Sequence, residues 1–309
     1  MQNIENTLEE NPTRVLVAGA TGYLGRYAVC AFKRRGCWVR ALSRPQSVEK
    51  LSTPGRFLEP AVRSDIDDLF VGTATDSDTL DGLCDGIDVV FSSLGVTRQQ
   101  ASHWEVDYGA NRTLLDLALD AGVERFVFVS VFAPELWGSL VEPREQFVDE
   151  LYDAEISQTV VRPTGYFSDM TEFFEMARRA RVFLVGDGNA RINPIHGADL
   201  AAACADAVSD DREEFAVGGP ETFTYDEIAA LASRTLDGRV KTTHVPKPLA
   251  KAALAVVRPF NSRYYALGNA FTRILSTDVV APETGSHTLR PLRASRQSPI
   301  FKLSSFLSC

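Results

Sequence analysis

The feature that most limits what this chain can become lies near its start. The apolar run Val15-Leu16-Val17-Ala18 passes directly into Gly19-Ala20-Thr21-Gly22-Tyr23-Leu24-Gly25, and residues 26–34 continue with helical periodicity. Strand, glycine-rich turn and helix in that order make the first βα unit of a dinucleotide-binding sheet. The turn needs glycine for three reasons: a sharp bend, backbone that a pyrophosphate can approach with no Cβ in the way, and close packing of helix on strand. The helix N-terminus then offers free N–H groups and a partial positive charge to phosphate. Gly19, Thr21, Gly22, Tyr23, Leu24 and Gly25 are therefore the expected cofactor-binding residues of this turn.

The pattern recurs along the chain. Short β-branched runs bounded by turn residues fall at 14–18, 38–42, 89–92, 126–130, 159–162 and 215–218, with segments of helical period between them. The runs at 89 and 126 are almost wholly apolar, as strands covered by helices on both faces are. The helix read over 106–119 turns Leu114, Leu115, Ala118 and Leu119 inward. This is an α/β, doubly wound parallel sheet. After Pro163 the character changes: an amphipathic helix over 168–179, a Gly186-Asp187-Gly188-Asn189 turn, a helix over 199–208, and one over 224–235 introduced by the Thr224/Glu227 capping-box pair. The expected organisation is a flexible 1–12, a Rossmann domain over 13–163, a smaller substrate lobe over 164–289 that closes the site and can interleave with the sheet, and a flexible tail over 290–309.

Composition excludes other classes. With 309 residues, 45% of them apolar, the chain can bury a large core. Its 41 acidic against 32 basic residues, net charge −9, argue against nucleic acid as a partner. Cys30, Cys37, Cys84, Cys204 and Cys309 are scattered with no C-x-x-C pair, which fits neither a metal site nor a disulfide framework. No leader is visible in residues 1–13, so a cytoplasmic setting is expected. No stretch reaches the roughly 18 to 20 apolar residues of a membrane span; the best candidate, 249–257, contains Lys251 and reads as an amphipathic helix.

Cofactor choice is read at the end of the second strand, where NAD binders place an acid that accepts from the ribose 2′-OH. Here the residues are Leu42-Ser43-Arg44. With no carboxylate to repel a 2′-phosphate, and with Ser43 and Arg44 able to donate to one, NADP(H) is favoured over NAD(H). The alternative reading of Arg44 is a solvated surface charge.

Taken together, the motifs resemble the atypical short-chain dehydrogenase/reductases that include the NmrA-like proteins. The resemblance covers about residues 13 to 290 and rests on Gly19-x-x-Gly22-x-x-Gly25, Trp104-x-x-Asp107-Tyr108-x-x-Asn111, Gly122-Val123-x-x-Phe126-Val127-x-Val129-Ser130, Val161-Arg162-Pro163-Thr164-Gly165-Tyr166-Phe167, Gly186-Asp187-Gly188, Asn193-Pro194-Ile195-His196 with Asp199-Leu200, and Gly218-Gly219-Pro220. Within that family the sequence is most similar to 3,8-divinyl chlorophyllide 8-vinyl reductases. The resemblance implies a cofactor lying across the strand ends, with Ser93, Leu94 and Gly95 along the ribose and nicotinamide path and Thr164 beside it. It also places Ser130 at the family's active-site serine.

The sequence departs from the wider family where a Tyr-x-x-x-Lys pair is usual: Leu140 stands for the tyrosine and Arg144 for the lysine. Arginine keeps the charge but cannot titrate as an acid. That argues against alcohol–ketone exchange and less against reduction of a conjugated carbon–carbon double bond. Arg144 would then stabilise developing charge, with Tyr166 or Tyr108 giving the proton. His196 is read as structural, and Asp199 as starting the helix that follows it. Two classes fit: an NADPH-dependent reductase of an apolar, conjugated small molecule, and a non-catalytic NADP(H)-binding redox sensor or assembly factor. A nucleotide-sugar epimerase or dehydratase fits less well, since that chemistry leans harder on the absent Tyr and Lys.

Overall fold

A computed structural model describes residues 11–96, 101–235 and 240–289. The tails expected at 1–12 and 290–309 lie, but for residues 11 and 12, outside the described residues. Seven strands form the main sheet: β1 (Arg14–Ala18), β2 (Trp38–Ser43), β3 (Asp68–Val71), β4 (Val89–Ser92), β5 (Arg125–Val129), β6 (Ser157–Pro163) and β9 (Glu214–Val217). Their order is β3-β2-β1-β4-β5-β6-β9, and every pair is parallel. Strand order reverses between β1 and β4, so the carboxyl ends of these two strands flank the crevice where an open α/β sheet takes its ligand.

Helices cover both faces. On one, α1 (Tyr23–Arg34) packs with α5 (Gly197–Asp206) over Val15, Val17, Phe91 and Val127. On the other, α2 (Asn111–Asp120) and α3 (Glu142–Tyr152) lie over Leu16, Val90, Phe126 and Phe128, with Phe147 meeting Phe128 edge to face at 4.8 Å. Leu114, Leu115 and Ala118 are buried as their period requires. The turn before α2, Trp104–Ala110, is widened into a π-helix. Buried Asn111 explains this: its amide donates to the carbonyls of Asp107 (2.9 Å) and Val106 (3.3 Å) and its Oδ1 accepts from Ser92.

The β3 strand was not among the sequence expectations. Its run is four residues long and opens on an aspartate, and an edge strand needs no apolar face on both sides. Asp68 is stabilised there by Arg40 of β2, at 2.6 Å.

Beyond β6 come α4 (Phe167–Arg178), β7 (Arg181–Val185), β8 (Arg191–Ile192), β10 (Phe223–Thr224), α6 (Tyr225–Thr235), β11 (Lys241–Val245), α7 (Lys247–Val257) and α8 (Ser262–Ile274). A third apolar cluster joins α4 to α6 through Phe173, Phe174, Tyr225 and Ile228. The Thr224/Glu227 capping box forms at the head of α6, with reciprocal bonds of 3.1 and 2.7 Å. Meanwhile α5 and β9 return to the main sheet, so residues on both sides of Pro163 build it.

The approach of α1 to β1 is set by Gly25, where an added Cβ would lie 2.0 Å from the Gly19 carbonyl oxygen and 2.6 Å from its carbon. At Gly36, by contrast, nothing lies within 4 Å and only the positive φ of 78° disfavours a side chain. Gly25→Ala should therefore cost on the order of 3 kcal/mol, and Gly36→Ala only about 1 kcal/mol. Urea unfolding of the two variants measures this; equal midpoints would contradict the packing argument.

Candidate functional site

Residues of the first turn behave as their backbone requires. Gly19 has φ +91°, and a Cβ there would meet the Ser93 hydroxyl at 2.8 Å. Gly22 N–H closes the turn on the Gly19 carbonyl at 2.9 Å. Gly22 is also the N-cap of α1, with no side-chain cap and no acid in the first turn. The first N–H groups of α1 thus face the crevice between β1 and β4 with their partial positive charge uncompensated by side chains. Such a cradle, which a Cβ would fill, fits a diphosphate. At the end of β2, Ser43 is buried and its hydroxyl donates to the Arg44 carbonyl at 3.2 Å, whereas Arg44 is exposed.

Side chains of the other turn residues are otherwise engaged. Leu24 is buried in the core. Tyr23 turns away to accept from Gly197 N–H at 3.1 Å, and burial raises its pKa well above the ordinary tyrosine value. Both can serve a phosphate only through backbone. Arg26, not singled out from the sequence, is buried and donates to the carbonyls of Thr53 (2.7 Å), Pro60 (2.9 Å) and Thr21 (3.3 Å). It clamps the 50–60 loop beside the turn. Nothing in the sequence separates it from Lys33 or Arg34, because its burial is made by that loop.

At the ends of β4 and β5 sits a buried ion pair between Arg144, at the start of α3, and Asp107. Arg144 also donates to the carbonyls of Val129 (2.6 Å) and Leu94 (3.2 Å). Asp107 further bonds His103 Nδ1 at 2.7 Å. Burial opposes its ionisation, yet Arg144 and His103 hold its carboxyl below the usual carboxylate range. Gly95, expected on the cofactor path, makes room for this pair: a Cβ there would lie 1.9 Å from the Arg144 guanidinium. Thr164 is likewise turned inward, donating to the Asn193 carbonyl at 2.7 Å.

Ser130, just past β5, is 2% exposed and donates to Glu145 at 2.6 Å. Arg162 bonds Glu145 (2.9 Å) and Glu214 (2.8 Å), and Tyr152 donates to Glu214 at 2.7 Å. The serine is thus the end of a charged chain running under the sheet's edge. Tyr166 follows β6, its ring 5.7 Å from that of Tyr23. Burial raises its pKa, with the nearby Arg144 pulling it back. Ser130, Arg144 and Tyr166 therefore gather at the carboxyl ends of β5 and β6. Tyr108 does not join them; its hydroxyl donates to Glu150 of α3 at 2.6 Å.

A second cluster lies where α1, α4 and α5 converge. His196 caps α5, its Nδ1 accepting from Ala198 N–H at 3.2 Å. It stacks on His287 at 4.3 Å and meets Tyr27 and Phe167 edge-on. Contrary to the sequence expectation, Asp199 does not cap the helix, which His196 caps instead. Asp199 accepts from the backbone of Ser286 (3.1 Å) and His287 (2.9 Å) and from His287 Nδ1 (2.8 Å), fastening the 286–287 segment to α5. Among the described residues no group of three or more His, Cys, Asp or Glu could hold a metal ion.

A parallel sheet in this order, with the glycine turn at its switch point, is a Rossmann-type α/β fold. The chain belongs to the NmrA-like family, which it matches over residues 11–272. It is 31% identical over 269 residues to the chloroplastic divinyl chlorophyllide a 8-vinyl-reductase of Oryza sativa subsp. indica, covering 81% of this chain but only 65% of that protein. Among solved structures it is similar to an NADPH-dependent quinone oxidoreductase of Escherichia coli determined with NADPH (TM-score 0.67, 17% identity, 88% of this chain and 96% of that one). It is also similar to AtPrR2 determined with NADP+ and (+)pinoresinol (TM-score 0.67, 21% identity, 86% and 88%).

Burial and the neighbouring His287 push the pKa of His196 down to about 4, with Asp199 opposing. A depressed histidine contributes stability above its unfolded pKa, and that contribution is lost as pH falls from about 6.5 toward 4, because the unfolded chain takes the proton first. Wild type should lose on the order of 2 kcal/mol more stability than His196→Gln between pH 7 and pH 5. Urea unfolding at the two pH values tests it; parallel losses would refute the assignment.

Proposed function

We propose that this protein is an NADP(H)-dependent reductase that adds hydrogen across a conjugated carbon–carbon double bond of a small, apolar molecule. The reading rests on Arg144, a permanently charged group fixed by Asp107 at the ends of β4 and β5, beside Tyr166 and in front of the switch point. The relatives named divinyl chlorophyllide reductases support the substrate class, and the E. coli and AtPrR2 structures support the cofactor. Gly19, Gly22, Gly25 and the head of α1 would hold the diphosphate, with exposed Arg44 reaching a 2′-phosphate. When bound, the nicotinamide supplies a hydride.

The chain's own residues supply the rest. Arg144 faces negative charge that spreads into a conjugated substrate once one carbon of the double bond has gained a hydride. Tyr166 stays protonated because burial disfavours its phenolate more than Arg144 favours it, so its hydroxyl would hold the proton that passes to the other carbon. One hydride and one proton saturate the bond. Ser130 positions α3 through Glu145.

A second reading is a non-catalytic NADP(H) sensor, favoured by the fact that Ser130 and Arg144 both spend their bonds inside the protein. Calorimetric titration separates the parts. NADPH should bind more tightly than NADH, and Arg44→Ala should weaken NADPH by roughly tenfold or more while leaving NADH nearly unchanged. With divinyl chlorophyllide as the first conjugated substrate, Tyr166→Phe should lower kcat about 100-fold at unaltered NADPH affinity. NADPH binding without turnover of any conjugated substrate would transfer the assignment to the sensor.

A further inference from the structure

Between Asp237 and Asp278 the sequence holds no acidic residue, in a chain where acids outnumber bases 41 to 32. Into that stretch fall α7 and α8, with Lys247, Lys251, Arg258, Arg263 and Arg273. The two helices form a hairpin in which Leu254 lies against Gly268, so close that an added Cβ would come within 2.3 Å of it. No residue of α7 is buried.

The outward side is apolar. Leu249 (61% exposed) and Val256 (68%) stand seven residues apart on α7, Phe260 (85%) lies at the turn, and Tyr264 (65%), Leu267 and Phe271 continue along α8. At 100° per residue, 249 and 256 share one face of the first helix, and 264, 267 and 271 share one face of the second, with Phe260 on the turn between them. Lys247, Lys251 and Arg258 fall on the side of α7 opposite its apolar stripe. A helix with bulky apolar residues on one face and lysine and arginine on the other is the pattern of a segment that lies in a lipid–water interface.

We propose that the α7–α8 hairpin docks this protein onto an anionic lipid bilayer. No described helix is long and apolar enough to cross a membrane, which restricts the contact to the interface. Charge names the occupant: a second copy would bring two basic hairpins face to face, which is unfavourable. An anionic surface attracts this hairpin and repels the rest of a chain of net charge −9, so the attachment is oriented as well as local.

The full chain should cosediment with vesicles of phosphatidylcholine and phosphatidylglycerol, but not of phosphatidylcholine alone, and added salt should release it. Phe260→Ser should weaken the association roughly tenfold, and the double variant Lys247→Glu/Lys251→Glu should abolish it. Both variants should keep the wild-type thermal midpoint, because the altered side chains are exposed. Absence of sedimentation with either vesicle overturns the proposal. So does binding indifferent to lipid charge or to both variants, or self-association through this hairpin with no vesicle binding.

Discussion

The carboxyl edge of the sheet depends on a contact between two pieces of backbone. Gly25 of α1 rests on the Gly19 carbonyl, closer than any side chain allows. From that contact follow the position of the helix N-terminus at the switch point and the reach of the Tyr23 hydroxyl to Gly197 at the head of α5. Arg26 secures the same unit from the other side by donating to carbonyls of the 50–60 loop. The interaction is steric, so no change of pH or salt releases it.

Charge at the neighbouring strand ends is handled by pairing. Asp107 with Arg144, and Glu145 with Arg162 and Glu214, form two buried or half-buried groups whose members would be costly if left alone. Each is made across the sheet's end, so the same bonds that satisfy the charges hold π-helical Trp104–Ala110, α3 and β6 in register. The reductase reading uses this rigidity: Arg144 is a fixed charge with no reorganisation to undergo, and the acidity of Tyr166 is set by the balance of its burial against that charge.

Much of the fold was legible because its signals are local. The glycine turn, the six strand runs and the capping box at Thr224 depend on residues adjacent in sequence, and each lies in the expected element. The strands β3, β7, β8, β10 and β11 are not among the sequence expectations: β8 and β10 are two residues long, β3 opens on an aspartate, β11 mixes lysine and histidine with its threonines, and β7 has the length and make-up of β5, so no local signal explains its omission. At the site, the residues were legible but their partners were not. Asp107 and Arg144 are 37 positions apart, and Asp199 and His287 are 88 apart. Periodicity carries nothing over such separations, so the sequence offers Asp199 as a cap and gives no sign of its bond to His287.

By itself the sequence determined the first βα unit, the doubly wound class, and the residue types available at the strand ends: arginine in place of lysine, a serine, a tyrosine. The first two follow from short-range sterics and period, which need no knowledge of the rest of the chain, and the third from the family resemblance. Only the tertiary structure decided what those residues do with their bonds: that Ser130 serves Glu145, that Arg144 is held by Asp107, that Tyr108 leaves the group while Tyr166 stays. The reason is that a hydrogen bond or ion pair is set by distance in space, and packing two helices and four strand ends together creates distances that the chain's order does not contain.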